Sequence, residues 1–299
     1  MSDTMVSLSH KISSAGDLQA VVRTMKALAS SSVGQYQKSV LALADYYRIV
    51  ELGLGLCTRE IKDESNKDST KQAMSNERNA AVASAAIVFG SDQGLVGQFN
   101  DVVADYAIKT LAGMPGKPQV WAVGERVQER LLDSDLSVAG LFKVPESVQA
   151  IVSLVDEIQI EIEAHWNNGD FSSVYIFHNR PKTGSVYEPT SQRLLPLDED
   201  WQKGLAQVVW PKGTLPEVIG TGSTTLRALI REYLFITLFR ACAESLASEN
   251  ESRLAAMERA EKNISELLET LNNEFHRMRQ TSIDEELFDV ISGYEASTK

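Results

Sequence analysis

The chain has 299 residues, 43% of them hydrophobic and 23% charged, enough for a substantial core in one or two domains. Lysine and arginine number 29 against 41 acidic residues, a formal charge of -12, so no general basic field is available to gather phosphate backbones and nucleic acid is excluded as a first partner. The two cysteines, Cys57 and Cys242, have no CxxC spacing and read as buried thiols rather than a disulfide or zinc scaffold.

The first residues, "MSDTMVSLSHKISSAGDLQ", lack the basic patch and apolar block of a secretory signal. No proline occurs before Pro115 or after Pro216, which leaves both ends free to form long helices. In the first of these, Val22, Ala29, Tyr36, Leu43 and Val50 recur every seven residues, with Val33, Val40, Tyr47 and Leu54 recurring beside them. A repeat of seven marks the seam of a supercoiled pair. Gly16 and Gly34 weaken this helix locally. We place it at residues 1–60, as one half of a coiled-coil shaft.

Residues 61–220 read as a central α/β domain. The polar run "KDESNKDSTKQAMSNERN" at Lys62 to Asn79 is expected to be an exposed junction. "AAVASAAIVF", Ala80 to Phe89, is about half the length needed to cross a bilayer as a helix, so no direct membrane insertion is expected. It starts a strand, followed by a turn over Gly90 to Gly97 and an amphipathic helix to Leu111. "PQVWAVGERVQERLLD" repeats the strand-then-helix order, a longer helix runs from Glu146 to about Trp166, and "FSSVYIFHN" is a further strand before a turn through Pro181 and Gly184 into "SVYEP" and "QRLLPL". This alternation indicates an α/β fold with a largely parallel, Rossmann-like sheet.

The last element, residues 221–299, contains neither glycine nor proline between Ser223 and Ser292, and Gly293 stands where a C-cap is expected. A continuous helix of that length would reach ~105 Å. Its Ile264, Leu268, Leu271, Phe275 and Met278 step by four and three, a narrow apolar seam that needs a partner. The N-terminal seam supplies one, and the intervening domain lets the two helices meet antiparallel.

Chemistry-bearing motifs are sparse. "GSDQGLVGQFN", Gly90 to Asn100, lies between a strand and a helix as phosphate cradles do, but it has no GKS or GKT and its glycines do not form GxGxxG. It reads as a tight turn in which Asp92 satisfies backbone donors. His10, His165, His178 and His276 fall in no metal-binding spacing, and no GxSxG occurs. His178 reads as a hydrogen-bonded edge-strand residue. No catalytic residue, cofactor or metal is therefore expected. Charge pairs such as Glu258 with Lys262 are ordinary helix decoration. Arg279 and Gln280 point about 100° apart, so at least one faces outward from the seam.

From Ala247 onward, Glu249, Arg253, Ala256, Met257, Ala260, Asn263, Arg279, Gln280, Ile283, Glu286, Leu287 and Gly293 keep the order and spacing of a family signature. The stretch resembles the C-terminal helix of the γ subunits of rotary F-type ATP synthases. "VVRTMKALASSSVGQYQ" is similar to the N-terminal helix of that family at Met25, Lys26 and Ala29, and "SDQGLVGQFN" resembles its "SDRGLCGGFN".

The resemblance implies a central-stalk rotor subunit, itself non-catalytic, whose paired ends form an asymmetric shaft in a ring of α and β subunits while the α/β domain binds the ε subunit and the membrane c-ring. It implies partner contacts with the β subunit and coupling roles for Met25, Lys26, Arg253, Arg279, Gln280 and Glu286. Ile283, Leu287, Val290 and Ile291 would be apolar contacts at the tip. The implied location is peripheral, at the cytoplasmic face of a bacterial inner membrane. Asp284 stands where the family has Thr, and "SHKI" and "SVGQ" replace strongly basic segments, which points to a divergent bacterial branch such as the alternative sodium-pumping type. The competing reading is a cytosolic coiled-coil scaffold or regulator with an α/β binding domain.

Overall fold

The structure is a computed structural model that describes residues 2–65, 83–182, 185–197 and 222–297. The expected polar junction beyond residue 65, the tip of the turn at Gly184 and the boundary near residue 220 lie outside the described residues. In chain order the elements are α1 (Ser2–Ser65), β1 (Ser84–Phe89), α2 (Phe99–Leu111), β2 (Gln119–Val123), α3 (Glu125–Leu132), β3 (Ser137–Phe142), α4 (Val148–Asn168), β4 (Ser173–Lys182), β5 (Ser185–Leu195) and α5 (Gly222–Ser297). Two compact units result. One holds residues 1–30 and 253–299, the other residues 31–252.

The larger unit is built on a five-stranded sheet of order β3-β2-β1-β4-β5. Strands β1 to β4 are parallel, and β5 closes one side by pairing antiparallel with β4. The chain moves outward from β1 to β2 to β3, and α4 then returns it to the other side of β1. Strand β1 is buried along its whole length, as an inner strand covered on both faces must be. Helices α2 and α3 cover one face through Val103, Ala107, Leu111, Val127 and Leu131. The other face meets α4 through Ile151, Val155 and Ile158, and α5 through Leu238, Cys242 and Leu246. Within this unit α1 and α5 also pack on each other. Val50, Leu54 and Cys57 join Leu226, Tyr233 and Ile236, and Tyr46 Oη donates to Glu232 Oε2 at 2.9 Å.

Both cysteines are buried free thiols, and burial pushes the Cys242 thiol well above its ordinary range. The weakly apolar "SVAGLF" is strand β3, which periodicity alone does not reveal because its burial alternates with exposed positions. Helix α4 begins at Val148, where the Ser147 hydroxyl accepts from the Ala150 N–H. At its other end Gly169 takes the left-handed cap conformation.

Two expectations are corrected. Gly293 does not end the last helix, which runs on to Ser297. His178 is hydrogen-bonded as expected, to Glu244, but it is buried on β4, which lies between β1 and β5, and not at an edge. The glycines at 16 and 34 leave α1 unbroken. Among the described residues no helix is long and apolar enough to cross a membrane.

The turn after β1 is fixed by its own polar groups. Asp92 accepts from the backbone N–H groups of Glu125 and Val144, at 3.0 and 3.1 Å. Asn100 holds Ser91 on both sides, accepting from its N–H and donating to its hydroxyl. Opposite it, Gly124 has φ +112°, and a Cβ there would lie 2.7 Å from the Ser91 carbonyl carbon. Gly124→Ala therefore meets both an unfavourable backbone region and a backbone collision. It should lower the stability of the purified chain by about 2 kcal/mol or more, read from the urea midpoint.

Candidate partner-binding surface of the helix pair

The smaller unit consists only of the first part of α1 and the last part of α5. Leu8, Ala15 and Ala29 are its buried positions on α1, with Val22 half-buried between them, so the heptad read from Val22 onward begins two repeats earlier. The second heptad row contributes Met5, Ile12, Gln19 and Lys26, all half-buried. From α5, Met257 is buried and Ile264, Leu268, Leu271, Phe275 and Met278 are half-buried. The five half-buried positions from Ile264 to Met278 are the α5 seam residues the sequence selected.

Two members of the second row are polar, and each has a counterpart on α5. Gln19 Nε2 donates to Ser265 Oγ at 2.9 Å. Lys26 Nζ reaches Glu261 Oε2 at 3.1 Å, while Arg23 Nε donates to Glu261 Oε1 at 2.8 Å. One carboxylate is thus gripped by two cations, and the side-chain bonds from Arg23 and Lys26 hold its carboxyl below the usual range. The pairing of 19 with 265 and of 23 with 261 proves an antiparallel arrangement with a single register.

That register sets Ser2 opposite Ser282. The described part of α5 from Ile283 onward therefore has no described α1 residue across from it. Its apolar side chains are correspondingly open, with Ile283, Leu287, Phe288, Val290, Ile291 and Tyr294 ranging from 45% exposed at Ile291 to 71% at Tyr294.

The residues implied by resemblance fall into three groups. Met25 is half-buried, and Lys26 is engaged with Glu261 inside the pair. Arg253 is half-buried near the start of this unit's portion of α5. Arg279, Gln280 and Glu286 are all exposed, together with Ile283, Leu287, Val290 and Ile291. Arg279, Ile283, Glu286 and Val290 follow i, i+4, i+7 and i+11, so helical geometry lines them along one face. The face mixes two charges with bulky apolar groups, and its side chains are exposed.

Phe288 and Tyr294 belong to the same exposed segment and went unselected, although their bulk at off-seam positions is the signal. On α1, Leu18, Val21 and Leu28 are likewise exposed, and Met25 continues their row. The expected Glu258–Lys262 pair is replaced by a loose contact of Lys262 with Glu266 at 3.9 Å.

In the larger unit, the turn resembling "SDRGLCGGFN" is bonded to α5. Ser252 Oγ donates to the Val96 carbonyl, and the following Gly97 has φ +59°. Nearby, Ser248 Oγ donates to the Asn179 carbonyl, and His178 Nε2 lies 3.0 Å from Glu244 Oε2. Burial pushes the Glu244 carboxyl up, but the bonds from His178 and Arg240 outweigh it and leave the group below its ordinary value. These groups bind the helix to the sheet. Among the described residues no group of His, Cys, Asp or Glu could hold a metal ion.

A protein with this construction is defined by two very long terminal helices, paired at their free ends and packed elsewhere on a Rossmann-like sheet. A family model described as ATP synthase matches residues 4–296. The ATP synthase γ chain of Salinibacter ruber is 27% identical over 304 residues, covering 96% of each chain. That of Rhizobium johnstonii is 24% identical, over 97% of this chain and 98% of its own. Among solved structures, a chain of the rotor of Euglena gracilis mitochondrial ATP synthase superposes with a TM-score of 0.62 at 15% identity, over 95% of this chain and all of that one. The chain belongs to the ATP synthase family, and its place there is that of the γ chain.

The Glu261 clamp makes the helix pair sensitive to acid. Because the paired carboxyl titrates below its unfolded value near 4.5, its contribution is complete at neutral pH and is lost as pH falls through the lower, folded value. Spin labels at Ser14 and Thr270, exposed positions facing each other in this register, should show a distance distribution that broadens on acidification. In Glu261→Gln the distribution should already be broad at pH 7 and should change less with pH.

Proposed function

We propose that the paired ends of α1 and α5 turn as an asymmetric shaft inside a ring of alternating α and β subunits, and that this rotation couples ion flow through a membrane sector to ATP synthesis or hydrolysis. The observation that carries this reading is the uncovered face of α5 at Arg279, Ile283, Glu286 and Val290, displayed by a unit that consists of nothing but the helix pair. The buried positions of that unit lie in the seam between its two helices, and the exposed side chains of this face point away from it.

In this reading Arg279, Gln280 and Glu286 meet a β-subunit loop, while Met25, Lys26 and Arg253 transmit the effect of rotation. Lys26 acts through the Glu261 clamp, by keeping the two helices in register. Ile283, Leu287, Val290 and Ile291 supply an apolar tip that slides in a collar of the ring. A rod with different faces turned to successive β subunits favours a different conformation in each, so rotation changes nucleotide affinity in sequence through differential contact alone. The chain then contributes no catalytic residue, and chemistry belongs to the ring. The larger unit is the part we assign to the ε subunit and the c-ring. The assembly would sit peripherally at the cytoplasmic face of a bacterial inner membrane.

Reconstitution with α and β subunits tests this. Arg279→Ala with Gln280→Ala should lower coupled ATPase activity about two- to fivefold, the scale of exposed charge contacts worth ~0.5–1 kcal/mol. Glu258→Ala, on an exposed position outside this face, should leave it near the parent value. Equal losses in the two variants would contradict the assigned contacts, and failure of the chain to assemble with an α and β ring would contradict the rotor reading itself.

A further inference from the structure

The larger unit holds a cavity of about 190 Å³ between α4, β5 and the first turns of α5, remote in sequence from the residues assigned to the ring. Its walls are apolar. Ile162 and Trp166 come from α4, Leu194 and Leu195 from β5, and Ile230, Leu234 and Leu238 from α5 at a spacing of four. The rim is polar and exposed, with Glu163 and Asn167 on one side and Arg227 and Arg231 on the other.

The rim charges are unequal in their pairing. Arg231 Nε lies 3.6 Å from Glu163 Oε1, and the Arg231 carbonyl accepts from the buried Gln159 amide at 3.0 Å. Arg227, one turn earlier on the same face, has no ionic or hydrogen-bonding partner among the described residues. Two guanidinium groups at i and i+4 disfavour each other on a helix, and only one of them is compensated. An apolar hole with an uncompensated guanidinium at its mouth suits a molecule with the opposite arrangement. A hydrophobic cavity of about 150 Å³ is sufficient to take benzene. This one accommodates a single ring or a branched aliphatic body of similar size, leaving a head group at the rim.

We propose that this cavity is a binding site for a small apolar monocarboxylate, its hydrocarbon body seated on Ile230, Leu234 and Trp166 and its carboxylate held by Arg227. Arginine is suited to the task because its planar fork can meet both carboxylate oxygens. Arg231 assists by charge while remaining paired with Glu163. The site is independent of the helix-pair face.

Benzoate is the direct probe, with toluene as the uncharged control, added to the purified full chain and followed by tryptophan side-chain NMR shifts and calorimetry. Benzoate should bind saturably and shift the Trp166 indole signal. Ile230→Trp, which fills the cavity from a half-buried position, should abolish binding of both probes. Arg227→Gln, at an exposed position where folding is preserved, should weaken benzoate about tenfold and leave toluene unchanged. Absence of saturation, undiminished binding in Ile230→Trp, or equal benzoate affinity in Arg227→Gln would each overturn the proposal.

Discussion

The antiparallel pairing of α1 and α5 is the constraint on which the smaller unit depends. Helices of 64 and 76 residues would extend ~96 and ~114 Å at 1.5 Å per residue, and an isolated helix in water gains little from propensity alone. Residues 1–30 and 253–299 have only each other to pack on within their unit. Their seam is narrow, and most of its members on α5 are half-buried rather than buried. Apolar burial supplies the attraction but leaves the register poorly defined, because a slide by one heptad would offer nearly the same contacts. The Gln19–Ser265 bond and the grip of Arg23 and Lys26 on Glu261 remove that ambiguity. Each is partly exposed and contributes little to net stability, yet a slipped pairing would separate all of them together.

The larger unit solves a different problem. There α5 is buried over most of Ile236 to Ser252, with Arg240 exposed, and carries Thr237, Ser245, Ser248, Glu249, Asn250 and Ser252 into the interior. Buried polar groups need partners, and here several partners are backbone atoms of the sheet and its turns. Ser248 bonds the Asn179 carbonyl, Ser252 bonds the Val96 carbonyl, and Glu244 receives His178 from β4. The polar residues therefore specify how α5 lies on the sheet, as the clamp does for the paired ends. In the proposed rotor, torque is transmitted only if both kinds of contact resist slippage, and this chain supplies each with polar groups.

Much of this was legible in the residues. The heptad from Val22 to Val50 predicted positions that the structure buries at Ala29, Tyr36 and Val50 and half-buries at Val22 and Leu43, because a supercoiled seam imposes its period directly on the sequence. The strand-helix alternation from Ala80 to Leu195 predicted the sheet for the same reason. Strand β3 escaped notice because its six residues lie half-exposed and carry Gly140, so no run of apolar bulk marks it. The last helix outran Gly293 because a glycine at a helix end permits termination without compelling it. Of the candidate site, helical spacing required that at least one of Arg279 and Gln280 face outward, and the structure exposes both, with Glu286, which only the family resemblance singled out. The engagement of Lys26 with Glu261 was not legible, since it depends on the register between two segments 235 residues apart. Phe288 and Tyr294 were passed over because apolar residues outside a seam are ordinarily ignored.

The register is also the quantity most open to measurement. A Gln19→Cys, Ser265→Cys chain places two thiols at positions whose native side chains meet across the pair, whereas Gln19→Cys with Asn272→Cys offsets them by seven residues or ~10 Å along the helix. With a short bifunctional thiol reagent the first pair should cross-link readily within a single chain, and the second should remain unlinked. Closure of the offset pair instead, or cross-links found only between separate chains, would contradict the antiparallel intramolecular pair from which the rest is argued.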